Sequence, residues 1–392
     1  MLNLKWEPLL KVAFIRQKYD PFGGAERFTQ RVLAHMASRG AQIHLLARDW
    51  KHEPPPGLHF HAIRCPKTPS WFRQRCFVTR VQRHLTQADY DLVQSGERIP
   101  GCHIYRAGDG VHARWLEIRR LQNGRRQRYS IALNPFHRLV CQLERRLYED
   151  PRLMAVIVNS EMVRHEILAR FRIDDRKIHT IYNGVDLVRY QMGLRDTLGK
   201  AFRRSRQVDD QQVVVLFVGS GYERKGLAAL IKAVAVAQHQ VYLWVVGKGK
   251  VVRYQQLAQQ LSVSERVTFF GARDDVDRFY AAADIFALPS RYDPFPSAAL
   301  EAMAVGLPII VSANCGVAEI IDNGQEGFVL DAVDDIAQHA RYIALSCDPE
   351  KRTQMSVKAR SRAEDFPLET SLAAYESLYR RVLADRRRGV DR

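Results

Sequence analysis

The sequence lacks long apolar runs, and no stretch approaches the roughly 20 residues that a helix needs to span a bilayer. Its first residues also lack the apolar segment and the small-residue cleavage site of a signal peptide. The six cysteines form no CxxC pair and have no histidines at zinc-finger spacing. These absences disfavour a membrane-spanning protein, a disulfide scaffold and a structural zinc domain. We therefore expect a cytoplasmic protein with reduced thiols.

Acidic residues are scarce in the first half of the chain. Residues 1–190 hold 33 Lys and Arg against 18 Asp and Glu, a net charge of +15, whereas the remainder holds 27 against 25, a net charge of +2. A basic half suits an anionic partner, which could be nucleic acid, a phosphorylated substrate or an acidic membrane surface. An arginine-rich surface that is merely solvated is the alternative.

The order of apolar segments predicts two domains with parallel sheets. Each half repeats the order strand, glycine-containing turn, helix, strand, which is typical of βαβ units. Continuous apolar strands such as residues 213–218 indicate sheets that are covered on both faces. We predict an α/β protein with two Rossmann-like, doubly wound domains facing a cleft, at residues 1–190 and 191–365. Residues 191–212 are interpreted as a polar connector, and residues 366–392 as a helix that packs back on the first domain.

Ligands of open parallel sheets bind beyond the carboxyl ends of the strands, so the turns at these ends are the candidate sites. Gly23 and Gly24 precede a helix whose free amides can meet an anion, although a tight turn without a ligand is equally consistent with two glycines. Gly219 begins a turn that also carries Arg224 and Lys225. The turn has neither Walker nor GxGxxG spacing, but its two cations suit a diphosphate. Solvated surface charge is the alternative.

The most specific stretch is residues 289–308, PSRYDPFPSAALEAMAVGLP. Asp293 and Glu301 are separated by seven residues, the first in a loop and the second inside a predicted helix. Ser297 and Ala298 lie at the start of this helix, where a hydroxyl and free amides can bind phosphate. A carboxylate inside a largely buried helix needs a polar partner, and sugar hydroxyls provide one. A helix cap with a salt bridge is the structural alternative.

This stretch resembles the E-x7-E motif of glycosyltransferase family 4, whose members have the GT-B fold. Residues 22–24 look like the family's N-terminal glycine loop, residues 182–186 like its hinge motif, and residues 217–226 like its diphosphate clamp. The resemblance spans nearly the whole chain. It is strongest toward the bacterial glucosyltransferases that build the lipopolysaccharide core.

The resemblance implies a role for each matching residue. Glu301 would bind the ribose, Asp293 the donor sugar, and Arg273 would lie by the base. The diphosphate would be bound by Arg224 and Lys225 with the backbone of Gly23, Gly24, Gly219, Ser297 and Ala298. Two departures from the family pattern concern sugar recognition: Asp293 replaces the usual Glu, and Pro296 stands where glycine is common and has no N–H to donate.

The loop that follows the strand at residues 104–105 is where we expect a catalytic side chain of the first domain. Asp109 matches a position where the related core glucosyltransferases carry Asp, and His112 lies in a region where many family members place a histidine. A turn residue and an ordinary core-edge histidine are the structural alternatives. The DxD pairs at Asp89/Asp91 and Asp275/Asp277 adjoin a strand and a helix start, so we do not predict a metal site at either.

The sequence therefore predicts a retaining, metal-independent hexosyltransferase without a cofactor. It would move glucose or N-acetylglucosamine from a nucleotide diphosphate sugar to a lipopolysaccharide-core or other membrane-associated glycan. The resemblance implies a UDP-linked donor. A family 4 transferase that uses a GDP-sugar on a soluble acceptor is one alternative. A non-enzymatic nucleic-acid binder is another, disfavoured because helix-turn-helix, finger and RNP motifs are absent. A nicotinamide dehydrogenase is disfavoured because the dinucleotide fingerprint is absent.

Residues 112–152 combine arginines with apolar side chains. Leu139, Leu143 and Leu147 recur every four residues beside these arginines, and Trp71 with Phe72 forms a second aromatic cluster in a basic segment. The pattern fits a helix that packs on its own sheet with a basic outer face. It also fits a peripheral surface on an anionic leaflet, which we favour, with the protein on the inner face of the membrane.

Overall fold

The computed structural model describes residues 10–18, 24–48, 57–122, 124–237 and 240–390. It divides into two compact units, Met1–Tyr182 with Leu372–Arg392, and Asn183–Ser371. The division falls between Tyr182 and Asn183, eight residues before the boundary that we placed at residue 190.

The first unit is built on a seven-stranded sheet with the strand order β3-β2-β1-β4-β5-β6-β7, and all of its pairings are parallel. The strands are β1 (Lys11–Ile15), β2 (Gln42–Ala47), β3 (Leu58–Ala62), β4 (Leu92–Ser95), β5 (Ile104–Arg106), β6 (Ala155–Val158) and β7 (Ile178–Thr180). The helices are α1 (Gly24–Ser38), α2 (Ser70–Gln87), α3 (His112–Gln122), α4 (Arg125–Leu133), α5 (Pro135–Tyr148) and α6 (Glu161–Leu168).

The second unit has a six-stranded parallel sheet with the order β10-β9-β8-β11-β12-β13. Its strands are β8 (Val213–Val218), β9 (Val241–Val246), β10 (Val267–Gly271), β11 (Ile285–Leu288), β12 (Ile309–Ser312) and β13 (Gly327–Leu330). The helices, in chain order, are α7 (Lys200–Ser205), α8 (Leu227–Val236), α9 (Val251–Gln260), α10 (Val276–Ala282), α11 (Ser297–Ala304), α12 (Ile336–Cys347), α13 (Pro349–Glu364) and α14 (Leu368–Val390). The residues of α14 from Leu372 onward belong to the first unit. The predicted α/β class with two parallel sheets is confirmed.

The segment 191–212, interpreted from sequence as a polar connector, is largely helical. Helical turns at Met192–Leu194 and Arg195–Gly199 lead directly into α7. The Phe202 ring packs against Phe279 with ring centroids 4.8 Å apart. The buried Arg203 guanidinium donates a hydrogen bond of 3.0 Å to Asp284. Because these partners are distant in sequence, the polarity of the segment itself could not indicate the contacts.

The leucine stripe of α5 belongs to the core of the first unit. Leu143 and Leu147 are buried in that core, and Leu139 packs against it. The interpretation of this stripe as part of a membrane surface was wrong. Within the described residues, every helix is too short or too polar to cross a membrane.

The first unit contains a cluster of histidines that no local sequence pattern indicates. His44 on β2 and His61 on β3 approach with ring nitrogens 2.9 Å apart, and the His59 ring stacks on His44. His84 on α2 meets His61 on one side and the Tyr90 hydroxyl, 2.8 Å away, on the other. Burial, followed by the neighbouring histidines, lowers the pKa of His44 to about 4, and burial also lowers the pKa of His61 and His84.

Acidification should therefore destabilise the first unit. Unfolded histidines titrate near pH 6.5, above the pKa values of these histidines in the folded state, so the unfolded chain binds more protons. The stability that they contribute is present above about pH 6.5 and is lost as the pH falls toward 4. Thermal melting from about pH 7.5 to about pH 5 checks this. His44→Gln should flatten the dependence, whereas His165→Gln, at an exposed position, should leave it unchanged. Equal slopes in both variants would contradict the assignment.

Candidate functional site

In the second unit, two loops at the carboxyl ends of neighbouring strands are held together. Gly226 precedes α8 as its cap residue with a positive φ of 75°, and a side chain there would collide with the carbonyl oxygen of Pro289. The amide of Arg291 also donates to the carbonyl of Arg224 over 2.8 Å. Glycine is required at this point because the turn after β8 presses against the loop after β11.

This approach joins the predicted clamp cations to the first carboxylate of the motif. The ammonium of Lys225 forms a buried ion pair with Asp293, donating to its Oδ2 atom. Arg224 donates to the same oxygen over 3.3 Å and to the carbonyl of Tyr292 over 2.8 Å. The sequence indicated each of these residues but not their pairing.

Both charges of this pair lie in a water-poor setting. Burial alone would raise the pKa of Asp293, but Lys225 and Arg224 together hold it below its usual value. Asp293 is therefore ionised at neutral pH. Its charge partly neutralises two cations that would otherwise repel each other across a short distance.

The second carboxylate of the motif lies on α11. Glu301 is buried, and its Oε2 atom accepts a hydrogen bond of 2.9 Å from the Tyr280 hydroxyl. Tyr280 on α10 was not identified from sequence, because nothing in the local pattern of α10 distinguishes it from an ordinary core aromatic.

The start of α11 presents backbone amides. Its first two residues are Ser297 and Ala298, and Pro296 precedes it as the cap residue. Pro296 has no side-chain acceptor, so it does not cap the helix. The backbone amides of Ser297 and Ala298 at this helix end are suited to an anion.

The remaining donor-site candidates are placed as follows. Gly219 directly follows β8, and a side chain there would press on the Lys225 side chain. Arg273 follows β10 and forms a local ion pair of 2.8 Å with Asp275. In the first unit, Gly24 is the first residue of α1, whereas Gly23 lies outside the described residues.

The candidate residues of the first unit follow β5. Asp109 accepts from the Arg16 guanidinium over 3.4 Å, and Arg16 also donates to the carbonyl of Gly96 over 3.1 Å. Arg16 and Glu97 follow the carboxyl ends of β1 and β4, a position that could have marked them as candidates from sequence. Burial raises the pKa of Glu97 although Arg16 opposes the shift. Perturbed carboxylates of this kind are common at functional sites.

His112 is the first residue of α3 and is held in its neutral form. Burial lowers its pKa to about 3, with further contributions from Arg98, His137 and Arg119. One of its ring nitrogens lies 3.2 Å from a ring nitrogen of His137. A neutral imidazole can donate or accept a hydrogen bond, but it cannot supply a positive charge at neutral pH.

The two DxD pairs have other partners. Asp91 accepts from the backbone amide of Lys11 over 2.7 Å, and Asp275 pairs with Arg273 and Arg278. Over the described ranges, no group of three or more His, Cys, Asp or Glu side chains is arranged to hold a metal ion.

Comparison with known proteins covers both units. Residues 22–189 match the family model "Glycosyltransferase Family 4", and residues 200–362 match the model "Glycosyl transferases group 1". The chain is 26% identical to the lipopolysaccharide glucosyltransferase WaaG of Escherichia coli over 323 residues, which span 81% of this chain and 84% of that protein. It is 29% identical to the D-inositol 3-phosphate glycosyltransferase of Corynebacterium jeikeium, over 62% of this chain and 60% of that protein.

Solved structures show the same fold. A crystal structure of WaaG, a glycosyltransferase involved in lipopolysaccharide biosynthesis, matches with a TM-score of 0.85 and 24% identity, covering 94% of this chain and 99% of WaaG. Anabaena HepE in complex with UDP-glucose matches with a TM-score of 0.71 and 20% identity, covering 94% and 99% of the two chains. The chain therefore belongs to glycosyltransferase family 4 and has the GT-B fold, as its motifs implied.

Proposed function

We propose that this protein is a retaining, metal-independent hexosyltransferase. It moves glucose or N-acetylglucosamine from a UDP-linked donor to a lipopolysaccharide-core or other membrane-associated glycan. The observation that carries the proposal is the cluster of Lys225, Arg224 and Asp293. The names of two similar proteins support the substrate classes: WaaG is a lipopolysaccharide glucosyltransferase, and HepE was solved with UDP-glucose.

In this mechanism the bond between the anomeric carbon and the diphosphate oxygen breaks as the acceptor hydroxyl attacks from the same face of the sugar. Negative charge develops on the leaving diphosphate, where Arg224, Lys225 and the amides of Ser297 and Ala298 stabilise it. The departing phosphate oxygen takes the proton of the acceptor hydroxyl. The reaction then needs no strong general base.

The other candidates bind the donor. Glu301, oriented by the Tyr280 hydroxyl, binds the ribose hydroxyls of the nucleotide. The Oδ2 atom of Asp293 accepts from Arg224 and Lys225. Within the described chain no hydrogen bond reaches its Oδ1 atom, which can accept one from a sugar hydroxyl. Arg273 lies by the base, and Gly23, Gly24 and Gly219 allow a close backbone approach to the diphosphate. In the first unit, Asp109 and the neutral His112 bind hydroxyls of the reacting sugar.

A panel of donors tests the proposed activity. UDP-, GDP- and ADP-linked glucose and N-acetylglucosamine are incubated separately with the protein, and nucleotide release is measured with and without glycan acceptors. We expect release from the UDP-linked sugars, increased by a lipopolysaccharide-core acceptor. Release only from GDP-sugars would overturn the assignment of a UDP-linked donor. No release from any donor would overturn the proposal that the protein is a glycosyltransferase.

Activity should survive excess EDTA. The diphosphate charge is proposed to be neutralised by Arg224 and Lys225, so removal of divalent metal should change the turnover by less than about twofold, far below the effect of losing one such group. Nucleotide release before and after EDTA treatment measures this. Loss of activity that only Mg²⁺ or Mn²⁺ restores would contradict metal independence.

We further propose that the first unit binds an anionic membrane surface. Large apolar side chains are exposed along α3 and α4, with Leu121 74% exposed, Tyr129 68% and Leu133 71%. The exposed Arg128 lies on the same helix as Tyr129 and donates to the carbonyl of Arg120. Apolar and aromatic side chains beside arginines are typical of surfaces that lie in the headgroup region.

This surface should bind phosphatidylglycerol vesicles but not phosphatidylcholine vesicles, and salt should weaken the binding. Charge reversal at Arg125, Arg126 and Arg128 should reduce sedimentation strongly, since each cation near an anionic leaflet contributes about 1 kcal/mol. Reversal at Arg204, Arg253 and Lys358, exposed positions of the second unit, is the matched control. Equal binding to both vesicle types, or binding to neither, would overturn the proposal.

A further inference from the structure

The helix that begins at His112 is capped by a buried carboxylate from another helix. Glu144 lies on α5 and is fully buried. Its Oε1 atom accepts a hydrogen bond of 2.8 Å from the amide of His112, and its Oε2 atom accepts one of 3.2 Å from the amide of Ala113. A carboxylate at this end of a helix satisfies otherwise unpaired amides and stabilises the helix dipole.

Arg98 joins this carboxylate to the preceding turn. Its Nε atom donates to Glu144 over 2.7 Å, and its Nη2 atom donates to the carbonyl of Gly110 over 2.8 Å. The turn that carries Asp109 is therefore held at Gly110 by Arg98, and the helix start that carries His112 is held by Glu144. These contacts are to the backbone, so they fix the path of the chain without using the side chains of Asp109 and His112.

A buried ion pair is a weak source of stability, because desolvation offsets much of its attraction. A hydrophobic pair would fill the same space but could not bind three backbone groups of one loop. The arrangement is instead suited to fixing that loop in a single conformation. In reactions between oriented groups, a displacement of about 1 Å can cost about 10²-fold in rate.

We propose that Glu144 and Arg98 are positioning residues for sugar transfer, which hold the loop of Asp109 and His112 in its reactive conformation. The inference rests on the proposed function. Glu144→Gln keeps the shape of the side chain, but its amide cannot accept from all three donors of the carboxylate. The expected result is a fall in kcat of at least about tenfold. The Kd for UDP should be unchanged, since Glu301 and the two cations proposed to bind UDP belong to the second unit, and Gly23 and Gly24 belong to a different segment of the first.

Asp284→Asn is a matched structural control in the second unit. Asp284 is also a buried carboxylate, and it accepts from Arg203 over 3.0 Å and from the amide of Val214 over 2.9 Å. Loss of the Asp284 charge should lower the melting temperature without changing kcat per folded molecule. The difference between the two variants separates positioning of the loop from general stability.

The test measures UDP release from UDP-glucose by folded protein, in a double-mutant cycle of Glu144→Gln with Asp109→Ala. Because Glu144 acts through the loop, its substitution should cost much less in the Asp109→Ala background than in the wild type. Arg98→Lys, which keeps the charge beside Glu144 but loses the bond to Gly110, should also lower kcat. If Glu144→Gln does not fold, Arg98→Lys provides the test in its place.

Additive losses in the cycle, or wild-type kcat in both Glu144→Gln and Arg98→Lys, would overturn the positioning role while leaving the proposed activity intact. A wild-type protein that releases no nucleotide from any sugar donor would instead overturn the proposed function, and this inference with it.

Discussion

Arg224→Ala should lower the rate of sugar transfer by about 10²-fold or more, with little change in stability. A fixed cation that stabilises a developing negative charge typically contributes this much, because the protein does not have to reorganise around the charge as it forms. The Arg224 side chain is 36% exposed and donates to the carbonyl of Tyr292 as well as to Asp293, so its removal leaves no deeply buried charge alone. Steady-state kinetics with UDP-glucose and a melting curve measure both effects.

Lys225→Ala should lose activity and stability together. Lys225 is buried against the buried Asp293, and removal of one partner of such a pair typically costs about 3–5 kcal/mol. The paired substitution Lys225→Met with Asp293→Asn removes both charges and should recover stability but not activity. Near-normal turnover in Arg224→Ala and in the paired variant would show that neither cation takes part in the reaction.

Glu301→Gln should weaken the binding of UDP-glucose and of free UDP by about the same factor, roughly 10- to 100-fold. Both ligands carry the ribose, and a hydrogen bond to a charged group is worth about 1.5–3 kcal/mol. The Tyr280 hydroxyl can still donate to the amide oxygen of Gln, so the side chain should keep its place. Isothermal titration with the two ligands measures the two losses.

Asp293→Asn is the contrasting variant. It removes the anion that competes with the diphosphate for Lys225 and Arg224, so the affinity for free UDP should be unchanged or higher, while sugar transfer falls. Equal losses of UDP affinity in Glu301→Gln and Asp293→Asn would contradict the division of ribose and sugar recognition between them.

The sequence predicted the features that are encoded locally. Strands such as β8 and β9 are nearly continuous apolar runs, and the motif from Asp293 to Glu301 follows a buried strand at the place where parallel sheets bind ligands. It did not indicate β3, whose sequence LHFHA is mostly exposed at the sheet edge, or the short strands β7 and β13. Three or four residues carry too little periodicity to indicate a strand.

Contacts between distant residues could not be predicted in this way. Lys225 and Asp293 are 68 positions apart, Glu144 and His112 are 32 apart, and Arg203 and Asp284 are 81 apart. Each pairing depends on the tertiary fold, which brings two loops or helices together, and no local spacing encodes it. The sequence therefore indicated which residues could bind a donor, but not which charges compensate each other before the donor arrives.

The anomeric configuration of the released sugar tests the central claim most directly. UDP-α-glucose is incubated with the protein, and ¹H NMR follows the sugar product before mutarotation. We predict the α anomer as the first product, formed together with UDP. The β anomer as first product, or no release of UDP, would contradict a retaining transferase that uses this donor.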